Sequence, residues 1–320
     1  MLILRFPSSY NRGMVDASIV APRPEFAWAL RSRTFTLGAI TRILGIVNVT
    51  PDSFSDGGRF LAPERAIEHA LRLLDEGADI LDIGGESTRP GDHAPVSVQQ
   101  EIDRVLPVIE ALRQQRPDAI LSIDTYKAQT AQAAVAAGAE IVNDVSGFLW
   151  DEAMASTCAR LRCGVILMHA RGRMAEWRNL PPLNAQDVLP TIERELRERI
   201  QPALAAGVAR EQIVLDPGLG FGKNFDENYP VLAGLPRLHA LGYPLLVGAS
   251  RKSFLTRTAA HSTHDDSASL AGSALHTTLA AHTAAILAGA HLLRVHDVAA
   301  ARQAAAVADA IRAAADAQRD

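Results

Sequence analysis

Short apolar runs in this chain repeatedly stop at residues that hold charge or donate protons. Asn48 closes one run, and Asp82 leads into Gly84, Gly85, Glu86, Ser87, Thr88 and Arg89 after another. Asp124 and Thr125, Asn143 and Asp144, then Met168, His169 and Arg171 end three more. Asp216 opens a glycine-rich turn through Gly218, Gly220, Phe221, Gly222 and Lys223. Ser250, Arg251, Lys252 and Ser253 follow the seventh run, and Arg294, His296 and Asp297 the eighth. Two chemistries separate by what they bind. Arg89, Arg294 and His296, with Asn48 and Arg251, are donors suited to a multiply charged phosphate, which planar guanidinium forks grip bidentately. Asp124, Asp216, Asn143 and Lys252 suit a flat heterocycle, since a carboxylate accepts two parallel N–H bonds from an amino-imine edge.

The elements that must carry these residues alternate in type. Apolar runs lie at 43–47, 80–83, 120–123, 141–142, 165–168, 213–215, 244–247 and 292–295. Segments of helical spacing separate them, at 63–76, 98–115, 128–137, 152–161, 187–206, 229–239, 267–288 and 299–315. Strands alternating with helices require parallel strands joined by crossovers, and eight units close a (β/α)8 barrel, with an open doubly wound sheet as the alternative. Gly-Ala pairs at Gly77, Gly138 and Gly289 predict tight turns from helix into strand. Residues 26–30 and 34–37, joined across Arg31, Ser32 and Arg33, predict a short hairpin before the barrel. Residues 1–25 read as an extension and 26–320 as one barrel domain.

At 320 residues and 48% hydrophobic, the chain can bury a large core. A net charge of −4 gives no electrostatic reason for a nucleic-acid partner. No uncharged apolar run reaches about 18 residues, so the expectation is a soluble, cytoplasmic protein without a membrane span. Cys158 and Cys163 match no zinc or redox spacing and read as idle buried thiols. His261 and His264 form an HxxH in a stretch of Ser, Thr and Asp read as loop, without the frame zinc needs. Residues 218–223 miss the phosphate-loop pattern. Bland readings accompany the sharp ones: Asp124 as a helix N-cap, Arg294 paired with Asp297 at the surface, and 51–58 as ordinary turn chemistry.

Set side by side, NVTPDSFSDGG from Asn48, DIGGESTRPG from Asp82, SIDT from Ser122, VNDVSG from Val142, DPGLGFGKN from Asp216, SRKSF from Ser250 and RVHDV from Arg294 closely resemble the dihydropteroate synthase family of pterin-binding TIM barrels. The resemblance spans 43 to about 300 in the family's order. It implies that 4-aminobenzoate is joined to 6-hydroxymethyl-7,8-dihydropterin diphosphate, releasing diphosphate in the presence of Mg²⁺ by an SN1-like course. It assigns pterin binding to Asp124, Asn143, Met168, Asp216 and Lys252. Diphosphate falls to Asn48, Arg89, Arg294 and His296, with Asn48 also at the metal. Thr88, Pro90, Phe221 and Ser253, beside Lys252, border the aminobenzoate. Asp124, Lys252, Arg294 and His296 are the expected catalytic set, and residues 50–58 an expected lid.

Ala170 departs from the resemblance, which leads one to expect a larger side chain there. The small, apolar segment 267–288 resembles the family's homodimer helix, so a homodimer is expected. A pterin-dependent methyltransferase would keep Asp124, Asn143 and Asp216 but has no need of the Arg89, Arg294 and His296 cluster. A silent pterin-binding protein and a Schiff-base lyase using Lys252 are the remaining alternatives. The role of Asp82, Glu86 and Asp144, metal ligands or loop braces, stays open in the sequence.

Overall fold

The computed structural model describes residues 20–50, 62–87, 96–263 and 270–318. A hairpin of β1 (Phe26–Ala29) and antiparallel β2 (Thr34–Leu37) comes first. Eight parallel strands follow: β3 (Arg42–Asn48), β4 (Ile80–Gly84), β5 (Ile120–Asp124), β6 (Ile141–Asp144), β7 (Gly164–Met168), β8 (Ile213–Asp216), β9 (Leu246–Val247) and β10 (Leu292–Val295). Their order is β8-β7-β6-β5-β4-β3-β10-β9, and a parallel bridge between Leu215 and Leu245 joins the two ends. The expected (β/α)8 barrel is therefore present, and the open sheet is excluded.

Helices α1 (Ala62–Asp75), α2 (Val98–Gln115), α3 (Ala128–Ala137), α4 (Met154–Leu161), α5 (Ala185–Ala205), α6 (Asn228–Ala233), α7 (Leu235–Leu238), α8 (Ser253–Thr263), α9 (Leu270–Leu287) and α10 (Val298–Asp316) surround the strands. Two differ from expectation. The helix expected over 229–239 breaks at Gly234 into α6 and α7. The polar stretch after Leu255, read as loop, contains α8, because Phe254 and Leu255 bury in its first turn; His261 is helical. Gly77, Gly138 and Gly289 have φ of +100°, +122° and +96°, the cap conformation the Gly-Ala pairs predicted.

Strand periodicity sorts the barrel into layers. Odd and even positions point to opposite faces, so Ile43, Leu81, Leu121, Val142 and Leu293 join the core under the helices. Their inward neighbours Leu44, Ile80, Ile120, Ile141, Ile166, Val214, Leu246 and Leu292, one from each strand, fill the barrel floor. The hairpin plugs that floor from below with Trp28, Leu30 and Leu37, and the Trp28 indole N–H donates to Gln212 O at 2.8 Å. Inward positions two residues further along are Asp82, Ser122, Asn143, Met168, Asp216 and Arg294. Polarity rises from floor to mouth within each strand, and this sets the site.

Candidate active site

Asp82 is the hub of the barrel's polar layer. Fully buried, it accepts from Ser122 Oγ at 2.6 Å, Asn143 Nδ2 at 2.9 Å and Arg294 Nε at 2.7 Å. Arg294 reaches on with Nη2 to Asp124 Oδ2 at 2.5 Å, so one guanidinium spans two carboxylates. A buried carboxylate holding three donors is fully engaged, which makes Asp82 a brace for Asn143 and Arg294. Glu86 and Asp144 brace as well. Glu86 takes Lys127 Nζ at 2.5 Å, while Asp144 accepts from Ser146 Oγ and the Ser146 and Phe148 amides.

Asp124 is not the helix cap its position allowed. The first α3 amide, Ala128 N, goes instead to Asp151 Oδ2 at 2.8 Å, leaving Asp124 to Arg294 at the mouth. Burial pushes the Asp124 pKa up to about 7; Arg294 opposes the rise and Asp82 adds to it. Burial disfavours the Arg294 charge, yet Asp82 and Asp124 outweigh it and keep the guanidinium firmly protonated. Arg294 and Asp297 do not pair. Asp297 takes a bidentate fork from Arg251, at 3.1 Å from Nε and 2.6 Å from Nη2, so the structure ties up Arg251, expected as an anion donor.

Asp216 pairs in register with Met168 on the adjoining strand, both buried. One oxygen of Asp216 accepts the Gly218 amide at 2.7 Å. Burial lifts its pKa to about 6, opposed by that amide and by Lys252, Lys223 and Arg294. Asn143 donates one N–H to Asp82, which leaves its amide oxygen for a ligand donor. Lys252 Nζ lies 3.9 Å from the centre of the Phe221 ring, within cation–π range. Ser253 starts α8 and is exposed. Ser250 Oγ accepts the His296 amide at 3.1 Å and meets His296 Nδ1 at 3.0 Å. Half-buried Asn48 stands at the mouth, in register with Gly84, which in turn pairs with Asp124.

The barrel thus brings Asp124, Asn143, Asp216 and Met168 to one level, with Lys252, Phe221, Arg294, His296 and Asn48 above or beside them. Thr88, Arg89, Pro90 and, of the lid expected over 50–58, residues 51–58 lie outside the described residues. Sequence reasoning missed Asp82 as organiser, although a carboxylate inside the apolar run ILDIG was a signal. It also missed an aromatic chain at the mouth. Tyr126 and Trp150 stand 5.1 Å apart, Trp150 and Trp177 6.5 Å, and Trp177 and Phe221 5.3 Å. Trp177 shares a buried cluster with Met168 and with Ala170, the one small departure noted above.

Residues 44–296 match the family described as pterin binding enzyme. The dihydropteroate synthase of Synechocystis sp. is 42% identical over 277 residues, which is 87% of this chain and 92% of that protein. The crystal structure of the Xanthomonas albilineans dihydropteroate synthase with 4-aminobenzoic acid superposes with a TM-score of 0.77 at 44% identity, covering 87% of this chain and 96% of that one. The same organism's enzyme in complex with 7,8-dihydropteroate gives a TM-score of 0.74 at 42% identity, with the same coverage.

Proposed function

That this chain belongs to the pterin-binding enzyme family is the premise from which we propose its reaction and the part each residue plays. It is a dihydropteroate synthase, condensing 4-aminobenzoate with (7,8-dihydropterin-6-yl)methyl diphosphate to give 7,8-dihydropteroate and diphosphate in folate biosynthesis. The observation that carries the assignment of roles is the division of the barrel mouth into a carboxylate-and-amide floor and a cationic rim.

On this reading Asp216 accepts the paired N–H groups of the pterin's amino-imine edge. Asn143 addresses a ring N–H, Met168 packs on the ring face, and Lys252 serves the carbonyl side. Arg294 and His296 donate to the leaving diphosphate, with Asn48 and Arg89 completing the anion pocket. As the C–O bond to diphosphate breaks, positive charge develops on the pterin methylene. Asp124, fixed by Arg294, stabilises that cation electrostatically. The weakly basic arylamine, held between Phe221, Thr88, Pro90 and Ser253, then attacks.

Mg²⁺ fits the donor set as an ion held largely by the substrate. Among the described residues no three acidic, histidine or cysteine side chains converge on one point. The amide oxygen of Asn48 would be the protein's hard ligand at the mouth for an ion bound with the diphosphate. When bound, the ion neutralises charge on the leaving diphosphate. The enzyme is expected to work in the cytoplasm; among the described residues no helix is long and apolar enough to cross a membrane. A homodimer is expected through α9, whose exposed Ala280 and Ala284 carry no charge.

The test mixes purified protein with the pterin diphosphate, 4-aminobenzoate and Mg²⁺ and follows dihydropteroate formation. Product that disappears on chelation supports the reading. No product, together with methyl transfer from methyl-folate to a corrinoid protein, overturns it.

A further inference from the structure

Lysine is scarce in this chain, with Lys127, Lys223 and Lys252 the only three. Lys252 faces the site and Lys127 bridges Glu86 and Glu101, but Lys223 does neither. It is buried, and among the described residues it forms no ion pair. Its Nζ donates instead to three backbone carbonyls: Gly218 O at 2.7 Å, His169 O at 3.2 Å and Phe221 O at 3.3 Å. Three carbonyls around one nitrogen match the three donors of an ammonium, not the planar fork of an arginine. We propose that Lys223 is a positioning residue for the second substrate: its crown of carbonyls sets the course of the 218–222 loop and so places Phe221 against the aminobenzoate.

The loop's path explains why such a crown is needed. Gly218 and Gly222 have φ of +67° and +65°, and a Cβ at either would meet a carbonyl oxygen, His169 O at 1.9 Å or Arg171 O at 2.4 Å. The loop is therefore pressed against the end of β7, and its carbonyls turn inward where water is excluded. Buried carbonyls without donors are costly, and Lys223 supplies them. Arg171 and Asn228 support the same loop from outside, through Arg171 N to Phe221 O at 3.4 Å and Gly220 N to Asn228 Oδ1 at 2.7 Å. On the opposite side a Cβ at Gly220 would lie 3.3 Å from Lys252 Cδ, and the Phe221 ring lies beneath the Lys252 ammonium. A shift of the loop displaces the aromatic wall and reaches the pterin floor only through the Gly218 amide on Asp216, while Asp124 and Asn143, on other strands, stay in place.

This inference rests on the reading of Phe221 as the aminobenzoate wall, and the experiment separates the two. Lys223→Met keeps the length and removes the donors. It should raise KM for 4-aminobenzoate about tenfold or more while changing pterin affinity less than about threefold. In a Phe221→Ala background the same substitution should add less than about twofold, because both act through one ring. Phe221→Ala with a wild-type KM sinks the reading of Phe221 itself. Phe221→Ala with a raised KM, beside Lys223→Met at wild-type KM or with equal effects in both backgrounds, sinks the role of Lys223 alone. If the methionine protein does not fold, Lys223→Gln, whose shorter amide cannot reach all three carbonyls, should raise KM for 4-aminobenzoate about threefold or more and add nothing to Phe221→Ala; a wild-type KM in it sinks the role of Lys223.

Discussion

Arg294 binds Asp82 through Nε and Asp124 through Nη2, so the cation proposed to receive the leaving diphosphate is anchored by two carboxylates. The anchoring orients the arginine without consuming it, since Nη1 makes no bond to either carboxylate. Arg294→Met removes the shared partner and leaves two buried acids unpaired, a loss on the order of 3 kcal/mol in stability. Turnover should fall at least about a hundredfold, by loss of preorganised donors. A pH signature identifies the cause. Arg294 holds the Asp124 pKa down against burial, so its removal should move the acid limb of kcat/KM to higher pH. Steady-state rates across pH 5 to 9 and thermal melts check both effects.

In its proposed role Asp216 binds the pterin edge only as a carboxylate, and burial lifts its pKa from 3.8 to about 6. Pterin affinity should therefore fall about tenfold per pH unit below that value, measured by titrating pterin fluorescence. Stability runs the other way. A raised folded-state pKa means the folded protein binds the proton more tightly, so this group's contribution declines as pH rises from 3.8 through about 6. Asp216→Asn keeps an acceptor for Gly218 N and carries no charge. At pH 8 it should melt higher than the wild type while binding pterin poorly, and a lower melting temperature would contradict the assignment of that burial cost.

These relationships mark where sequence reasoning succeeds and where it stops. Asp216, Arg294 and Asn143 were visible because an apolar run ends at each, and the barrel was visible because eight such runs alternate with helical spacing. Asp82 was seen but its partners were not, since Ser122, Asn143 and Arg294 lie 40, 61 and 212 positions away and meet only when the sheet closes. Strand periodicity alone says that Asp82 points inward; the closed barrel decides what it meets there. Lys223 resembles a surface lysine in a glycine loop until the fold wraps three carbonyls around it. Helix α8 was hidden because its polar composition masks the burial of Phe254 and Leu255.

Lys252 stands over Phe221 where the two substrates must meet. Lys252→Ala removes the cation over the Phe221 ring and, in the proposed role, the partner of the pterin carbonyl. The cation–π contact alone is worth roughly 0.5–2 kcal/mol, whereas loss of a substrate-bound charge costs more. The expected result is a fall of roughly a hundredfold or more in kcat/KM for both substrates. Phe221→Leu keeps the apolar wall but not the ring and should raise KM only for 4-aminobenzoate. Initial-rate kinetics with each substrate varied in turn distinguish the two residues, and equal effects of both variants on both substrates would contradict the geometry.

Ser250 determines what His296 can do. Its hydroxyl oxygen accepts the His296 amide at 3.1 Å, so its own proton is free to go to His296 Nδ1 at 3.0 Å. With Nδ1 as acceptor, the neutral imidazole carries its proton on Nε2 and acts as a donor without needing a charge. A donor is what a departing diphosphate requires. Ser250→Ala removes the tautomer lock while leaving the imidazole in place, so kcat should drop about tenfold and the KM for 4-aminobenzoate should stay near wild type. Ser250→Thr, which keeps the hydroxyl, should restore most of the lost kcat. Initial-rate kinetics of both variants with each substrate varied in turn test this, and a wild-type kcat in Ser250→Ala would show that Ser250 serves only to join the ends of β9 and β10.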